Sequence, residues 1–118
     1  MELTQPSSVW KPLKGPLNDW PLALCDVTSV DPEADLESAD LLYPDLATEN
    51  FQIYHSANHK WYFIAPQDVT EAIVFLQADN GPNGRPGVPH CSLFNPFVPE
   101  GECPRESIEV RLLACYEK

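Results

Sequence analysis

The chain has 118 residues, enough for one modest core, and it carries 18 acidic against 7 basic residues for a formal charge of −11. With a pI near 4.4 and no basic stripe, its surface repels phosphate backbones, which excludes nucleic acid as an expected partner. Thirteen prolines, each fixing φ and removing a backbone donor, argue against long helices and for short strands joined by Pro-rich turns.

Met1 to Ser8 has neither a basic segment nor an apolar run, so no secretory signal is read there, and no stretch approaches the length of a membrane span. Cys25, Cys91, Cys103 and Cys115 lack C-x-x-C spacing, which gives reduced thiols and no zinc site. The expectation is a single cytoplasmic domain over residues 1–118.

In chain order, Ser8 to Leu13 predicts a short strand limited by Pro12. Gly15-Pro16 is a turn, and the apolar run from Trp20 to Val30 predicts a buried strand followed by a loop. Residues 31–48 are acidic and lack a period, so they are expected as loop with at most one helical turn. Phe51 to Ile64 predicts a hairpin that turns at Ser56-Ala57-Asn58. Gln67 to Ala72 predicts a helical turn with Asp68 at its N-terminus. Ala72 to Ala78 predicts a buried strand, Gly81 to Pro89 a Gly/Pro loop, and Cys91 to Phe94 a short strand. Ser107 to Tyr116 alternates over ten residues, the pattern of a strand whose polar end approaches a barrel mouth. Six short strands without a helix predict an all-β sandwich or jelly-roll barrel.

Three histidines are present. His55 and His59 are four apart, but they flank the expected hairpin turn, and packing against Trp61 and Tyr62 is a better reading than ligation. His90 follows the Gly/Pro loop at a strand start, and Arg105-Glu106-Ser107 opens the last strand fifteen residues later. An imidazole there could hold iron, with the Arg fork and the Ser holding the far carboxylate of a dicarboxylate on that iron. On these residues alone, a junction histidine and a surface arginine in an ion pair remain the better reading.

Six segments in order shift that balance. Ser8-Val9-Trp10-Lys11-Pro12-Leu13, Pro21-Leu22-Ala23-Leu24-Cys25-Asp26, His59-Lys60-Trp61-Tyr62-Phe63, Asp68 to Phe75, Pro89 to Phe94 and Arg105 to Arg111 resemble the fungal AsaB-like hydroxylase/desaturase family. The resemblance covers nearly everything from Ser8 onward.

It implies a double-stranded β-helix that holds Fe(II) with a 2-His-1-carboxylate triad. It also implies that 2-oxoglutarate and O₂ are used to hydroxylate or desaturate a small organic substrate in fungal secondary metabolism. Carried over, His90 becomes the distal iron ligand. Arg105 with Ser107 becomes the 2-oxoglutarate clamp, with Arg111 as the alternative. Trp10, Trp61 and Tyr62 become wall residues. The family's His-x-Asp pair stands ahead of the Trp-Arg-Pro strand, and none of His55, His59, His90 or Asp26 occupies its place. The expected fold is therefore a partial jelly roll lacking its first strands, with long Pro-rich loops. Its open edges invite self-association or pairing with another chain. The competing expectation is a catalytically inactive barrel that binds a small molecule or a subunit.

Overall fold

A computed structural model describes residues 3–117, and among them the regular structure is eight strands and one 3₁₀ turn. The strands are β1 (Leu3–Pro12), β2 (Leu22–Cys25), β3 (Leu36–Leu42), β4 (Ala47–Ile53), β5 (Trp61–Phe63), β6 (Ile73–Leu76), β7 (His90–Ser92) and β8 (Ser107–Tyr116). They form two three-stranded sheets, β6-β1-β8 and β5-β2-β7, and a separate β3-β4 ribbon. The architecture is a partial jelly roll, as the resemblance implies.

β1 is the spine. It pairs antiparallel with β8 over its whole length, from Leu3↔Tyr116 to Pro12↔Ser107, and with β6 from Ser7↔Leu76 to Trp10↔Ile73. Pro6 is tolerated in this central strand because its missing donor falls on the β6 side just beyond the paired run. There its carbonyl still accepts from Gln77 N–H at 2.8 Å.

Alternation puts Trp10 and Ser8 on the inner face with Ile73 and Phe75 of β6. From the second sheet, Leu22 and Leu24 come to meet them. Trp10, Leu17, Leu22 and Phe75 make the core, flanked by Leu24, Ile73 and Val88.

That core is small. On the outer face of β6-β1-β8, Val74, Ile108, Val110 and Leu112 all stay half exposed or more. The radius of gyration is 16.2 Å, against about 13–14 Å for a compact domain of this length. The β3-β4 ribbon accounts for part of this: Leu42, Tyr43 and Leu46 at its tip are open to solvent.

The acidic stretch 31–48 thus corrects the loop expectation. It forms β3 and the start of β4, with the turn closed by Tyr43 N–H to the Leu46 carbonyl. Neither ribbon face is buried, so no apolar alternation marks it in the sequence. Phe51 to Ile64 is not a hairpin either: Phe51 pairs with Ser38 of β3, and Trp61 to Phe63 pair with Ala23 to Cys25 of β2. The turn at Ser56 to His59 does form, but it joins strands of different sheets. Gln67 to Ala72 holds no helical turn. Gln67 bridges Leu17, and the Asp68 carboxylate accepts from the Thr70 amide and hydroxyl. Trp61 and Tyr62, expected in the wall, are exposed.

A hydrogen bond between His59 and Asp35 fixes the ribbon to the body. His59 Nε2 lies 2.8 Å from Asp35 Oδ2, with the imidazole nearly buried, and the Asp31 amide donates to the same oxygen. These bonds, the Asp31 amide first, hold the Asp35 carboxyl below its ordinary 3.8.

Two outcomes follow from this packing. Trp10→Ala should cost about 3–5 kcal/mol in urea denaturation followed by circular dichroism, while Leu112→Ala on the open face should stay within about 0.5 kcal/mol. Equal losses from the two would refute the placement of the core. Between the lowered native value and 3.8, the unfolded chain binds more protons at Asp35 than the folded chain does. Stability from this carboxylate is therefore full at neutral pH and is lost as the pH falls through that window. Asp35→Asn should flatten the stability-against-pH curve there; an unchanged slope counts against the pair.

Candidate functional site

The residues singled out in sequence lie on β7 and on the approach to β8. Register aims them. His90 pairs with Leu24 and Ser92 with Leu22, so His90 and Ser92 share the face of β7 that turns to the core. The His90 ring packs on Phe75 with centroids 4.6 Å apart, and its Nδ1 lies 2.9 Å from the Val88 carbonyl. With Nδ1–H donated to that carbonyl, Nε2 carries the free lone pair, the arrangement a metal-binding imidazole needs.

Arg105 reaches the same space from the other sheet. Its Nη1 donates to Ser92 Oγ and to the Trp20 carbonyl, each at 2.6 Å, and its guanidinium carbon sits 5.6 Å from the Trp10 ring centroid. Its own amide donates to Asp19 Oδ2 at 3.0 Å, which pins the backbone just ahead of β8. The guanidinium is thus oriented by an indole and a hydroxyl and forms no ion pair among the described residues. Both of these side-chain bonds use Nη1; Nε and Nη2 are the pair of donors with which a guanidinium can grip a carboxylate as a fork.

The other two candidates are placed differently. Ser107 is opposite Pro12 at the start of β8. Arg111 lies four residues further, roughly 13 Å along the strand, exposed and opposite Ser8. The hydroxyl that meets Arg105 belongs to Ser92, and sequence reading missed it. The signal was there: period two from His90 places Ser92 on the same face.

A second polar feature was also missed. Gln77 Nε2 donates to Ser8 Oγ at 2.8 Å, and Ser8 Oγ donates to Glu109 Oε1 at 2.6 Å, a relay across all three strands of the first sheet. Ser8 is fully buried, so this relay satisfies a hydroxyl that would otherwise cost about 1–3 kcal/mol.

Asp26 is committed elsewhere. It caps the 3₁₀ turn Val27–Ser29, and the Thr28 hydroxyl and amide hold its carboxyl below the ordinary range. His59 is taken by Asp35. Accordingly, no group of three or more His, Cys, Asp or Glu side chains among the described residues is arranged to hold a metal. A stable iron site does not fit the side chains this chain itself brings together. A dicarboxylate clamp at Arg105 does.

Both site strands have an open outer edge. Among the described residues β7 pairs only with β2, and β8 only with β1. The Arg105–Ser92 bond brings these two edges to the same flank, so His90 and Arg105 stand beside a gap in the barrel wall. The gap explains why His90 is exposed although its ring leans on a core residue.

The family model described as oxidoreductase/YMDC permease-like domain matches residues 4–115. The Fe(II)/2-oxoglutarate-dependent dioxygenase nvfI of Aspergillus novofumigatus is 40% identical over 108 residues, covering 90% of this chain and 38% of its own length. Aspirochlorine biosynthesis protein N of Aspergillus oryzae is 33% identical, covering 93% of this chain and 47% of its own. The alpha-ketoglutarate-dependent dioxygenase tstK of Talaromyces stipitatus is 35% identical, covering 91% of this chain and 39% of its own. The solved structure of the iron and alpha-ketoglutarate-dependent endoperoxidase NvfI superposes with a TM-score of 0.83 at 35% identity, covering 94% of this chain and 42% of that one. The chain thus spans less than half the length of these relatives. It belongs to the family of that model, and its homologues are fungal Fe(II)/2-oxoglutarate-dependent dioxygenases.

Proposed function

We propose that this chain carries the distal half of an oxygenase site, with His90 as an iron-facing imidazole and Arg105 as the clamp for the far carboxylate of 2-oxoglutarate. The protein it serves would hydroxylate or desaturate a small organic substrate in fungal secondary metabolism, using Fe(II), 2-oxoglutarate and O₂. The observation that carries the reading is the bond from Arg105 to Ser92, two residues from His90 on one strand face. It brings the Arg105 guanidinium to the strand face that carries His90, and the fold is similar to that of a solved dioxygenase-type relative, which supports the reading. Ser92 and the Trp10 ring fix the plane of the guanidinium, so little side-chain freedom is left to lose when a carboxylate docks. In this reading Ser107 assists Arg105 on the same carboxylate, and Arg111 is the alternative clamp.

A second reading is favoured by two observations among the described residues, the lack of a three-ligand group and the open edges of β7 and β8. In it the chain is a catalytically inactive barrel that binds a small molecule, or that pairs through those edges with another subunit or another copy of itself.

Calorimetric titration with 2-oxoglutarate separates the candidates. Arg105→Ala should weaken binding at least tenfold, about 1.4 kcal/mol, with the circular dichroism spectrum preserved; Arg111→Ala should stay within about twofold. Wild-type affinity in the Arg105 variant would move the clamp elsewhere, and no binding by the wild type would favour the second reading.

Iron should behave differently. Loaded anaerobically with Fe(II) and desalted, the chain by itself should retain well below one iron per molecule, and His90→Ala should not change that. Stoichiometric retention abolished by His90→Ala would show that further ligands are recruited and would correct the half-site assignment.

A further inference from the structure

A cavity with a lining separate from the Arg105 site lies beside the 3₁₀ turn and the ribbon base. Pro89, next to His90, turns to the other face of its strand, and its carbonyl accepts from the Cys25 amide at 2.8 Å. The half-open cavity, of about 320 Å³, is walled by Val27 of the 3₁₀ turn and Val30 just after it, Pro32 and Leu36 at the ribbon base, and Pro86 and Pro89 of the loop before β7. That volume is within the range of small-molecule pockets. The lining contains one charged side chain, Arg85, and no carboxylate.

The walls are held from behind. Pro86 bridges Ala78, and Val88 N–H donates to the Leu76 carbonyl at 2.8 Å. A Cβ at Gly87 would fall 1.9 Å from the Gln77 carbonyl oxygen, so the loop lies directly on the end of β6 and only glycine fits.

Charge selects the occupant. Arg85 forms no ion pair among the described residues, although acids outnumber bases heavily in the chain. Asp31 and Asp35 in the adjoining segment are engaged locally: Asp31 Oδ1 accepts from the Glu33 and Ala34 amides, and Asp35 Oδ2 accepts from the Asp31 amide and lies 2.8 Å from His59 Nε2. The net charge of −11 acts at long range and is screened beyond about 8 Å at physiological salt, whereas an anion against Arg85 feels the guanidinium directly.

We propose that this cavity binds an aliphatic monocarboxylate, its chain lying among Val27, Val30, Leu36 and the prolines and its carboxylate on the Arg85 guanidinium. The site is separate from the Arg105 clamp, which takes a short dicarboxylate.

Sodium octanoate, 1-octanol and octylammonium chloride, titrated into ¹⁵N-labelled full chain at pH 7, test the assignment. Octanoate should produce saturable amide shifts confined to Val27–Val30, Leu36 and Arg85–Val88. Octanol should bind about tenfold more weakly at the same amides, and octylammonium more weakly still. Arg85→Gln, a change at an exposed side chain, should bring octanoate down to the octanol level and leave octanol unchanged. Equal affinity for the three probes, an unchanged Arg85→Gln titration, or octanoate shifts spread over the exposed residues of β8 would each overturn the proposal.

Discussion

The antiparallel ladder between β1 and β8 is the constraint on which the rest of the structure hangs. Ten consecutive pairs tie residues near the two ends of the chain, from Leu3↔Tyr116 to Pro12↔Ser107. Bringing such distant segments together has a large loop-closure cost, and a ten-residue ladder with Trp10 beneath it is what offsets that cost. The ladder also sets function. Because Ser107 opposes Pro12, the residues just ahead of β8 are delivered over Trp10, and Arg105 arrives at the indole and at Ser92. A slip of one residue would turn Ser107, Glu109 and Arg111 to the outer face and bury Ile108, Val110 and Leu112 in their place. The Ser8–Glu109 bond and its Gln77 donor act against that slip, since they exist only in the observed register.

How much could be read from the sequence depended on whether a strand buries one face against a core. β8 was legible with its observed bounds because its period-two pattern runs unbroken for ten residues. β2, β6 and β7 were legible as short apolar runs between turn signals, to within a residue or two. β3 and β4 were not, because a ribbon with both faces in solvent has no need of alternation, and acidic residues populate both sides. The Ser56–His59 turn was read correctly, but the partners of the strands around it were not. Pairing β5 with β2 is a tertiary choice made by Ala23 and Cys25, some forty residues away. The site divides in the same way. His90 and Arg105 stood out because motifs in a fixed order pointed to them. Ser92 and the Gln77–Ser8–Glu109 relay carry no motif, and only register reveals their partners.

The small core and the incomplete ligand set have one geometric cause. His90 lies on β7 and Arg105 just ahead of β8, and both strands have an open outer edge on the same flank among the described residues. An edge strand leaves backbone groups unpaired, and here β8 does so over ten residues, with Leu112, Leu113 and Tyr116 half exposed along it. Among the described residues no group of three or more His, Cys, Asp or Glu side chains is arranged there to hold a metal. Strands added at β7 and β8 would cover apolar surface and approach His90 at once, so stability and ligation would rise together. The relatives have more than twice this length of chain with which to do both.

That coupling distinguishes the two proposed anion sites physically. Arg105 lies at the open flank, where Trp10, Ser92 and the Trp20 carbonyl surround it. Arg85 lies on the other cavity, whose walls come from the loop before β7, the 3₁₀ turn and the ribbon base, near the Asp35–His59 pair that holds the ribbon. A ligand at Arg85 therefore meets a preformed wall, while a ligand at Arg105 meets a fork whose remaining enclosure has to come from elsewhere. The segment from Pro86 to His90 joins them: its outer side lines one cavity, and its Val88 carbonyl sets the His90 Nδ1 hydrogen bond of the other. Displacement of that segment by an occupant on the outside would be felt as a change in the tilt of the imidazole on Phe75, because the ring has no other polar anchor among the described residues.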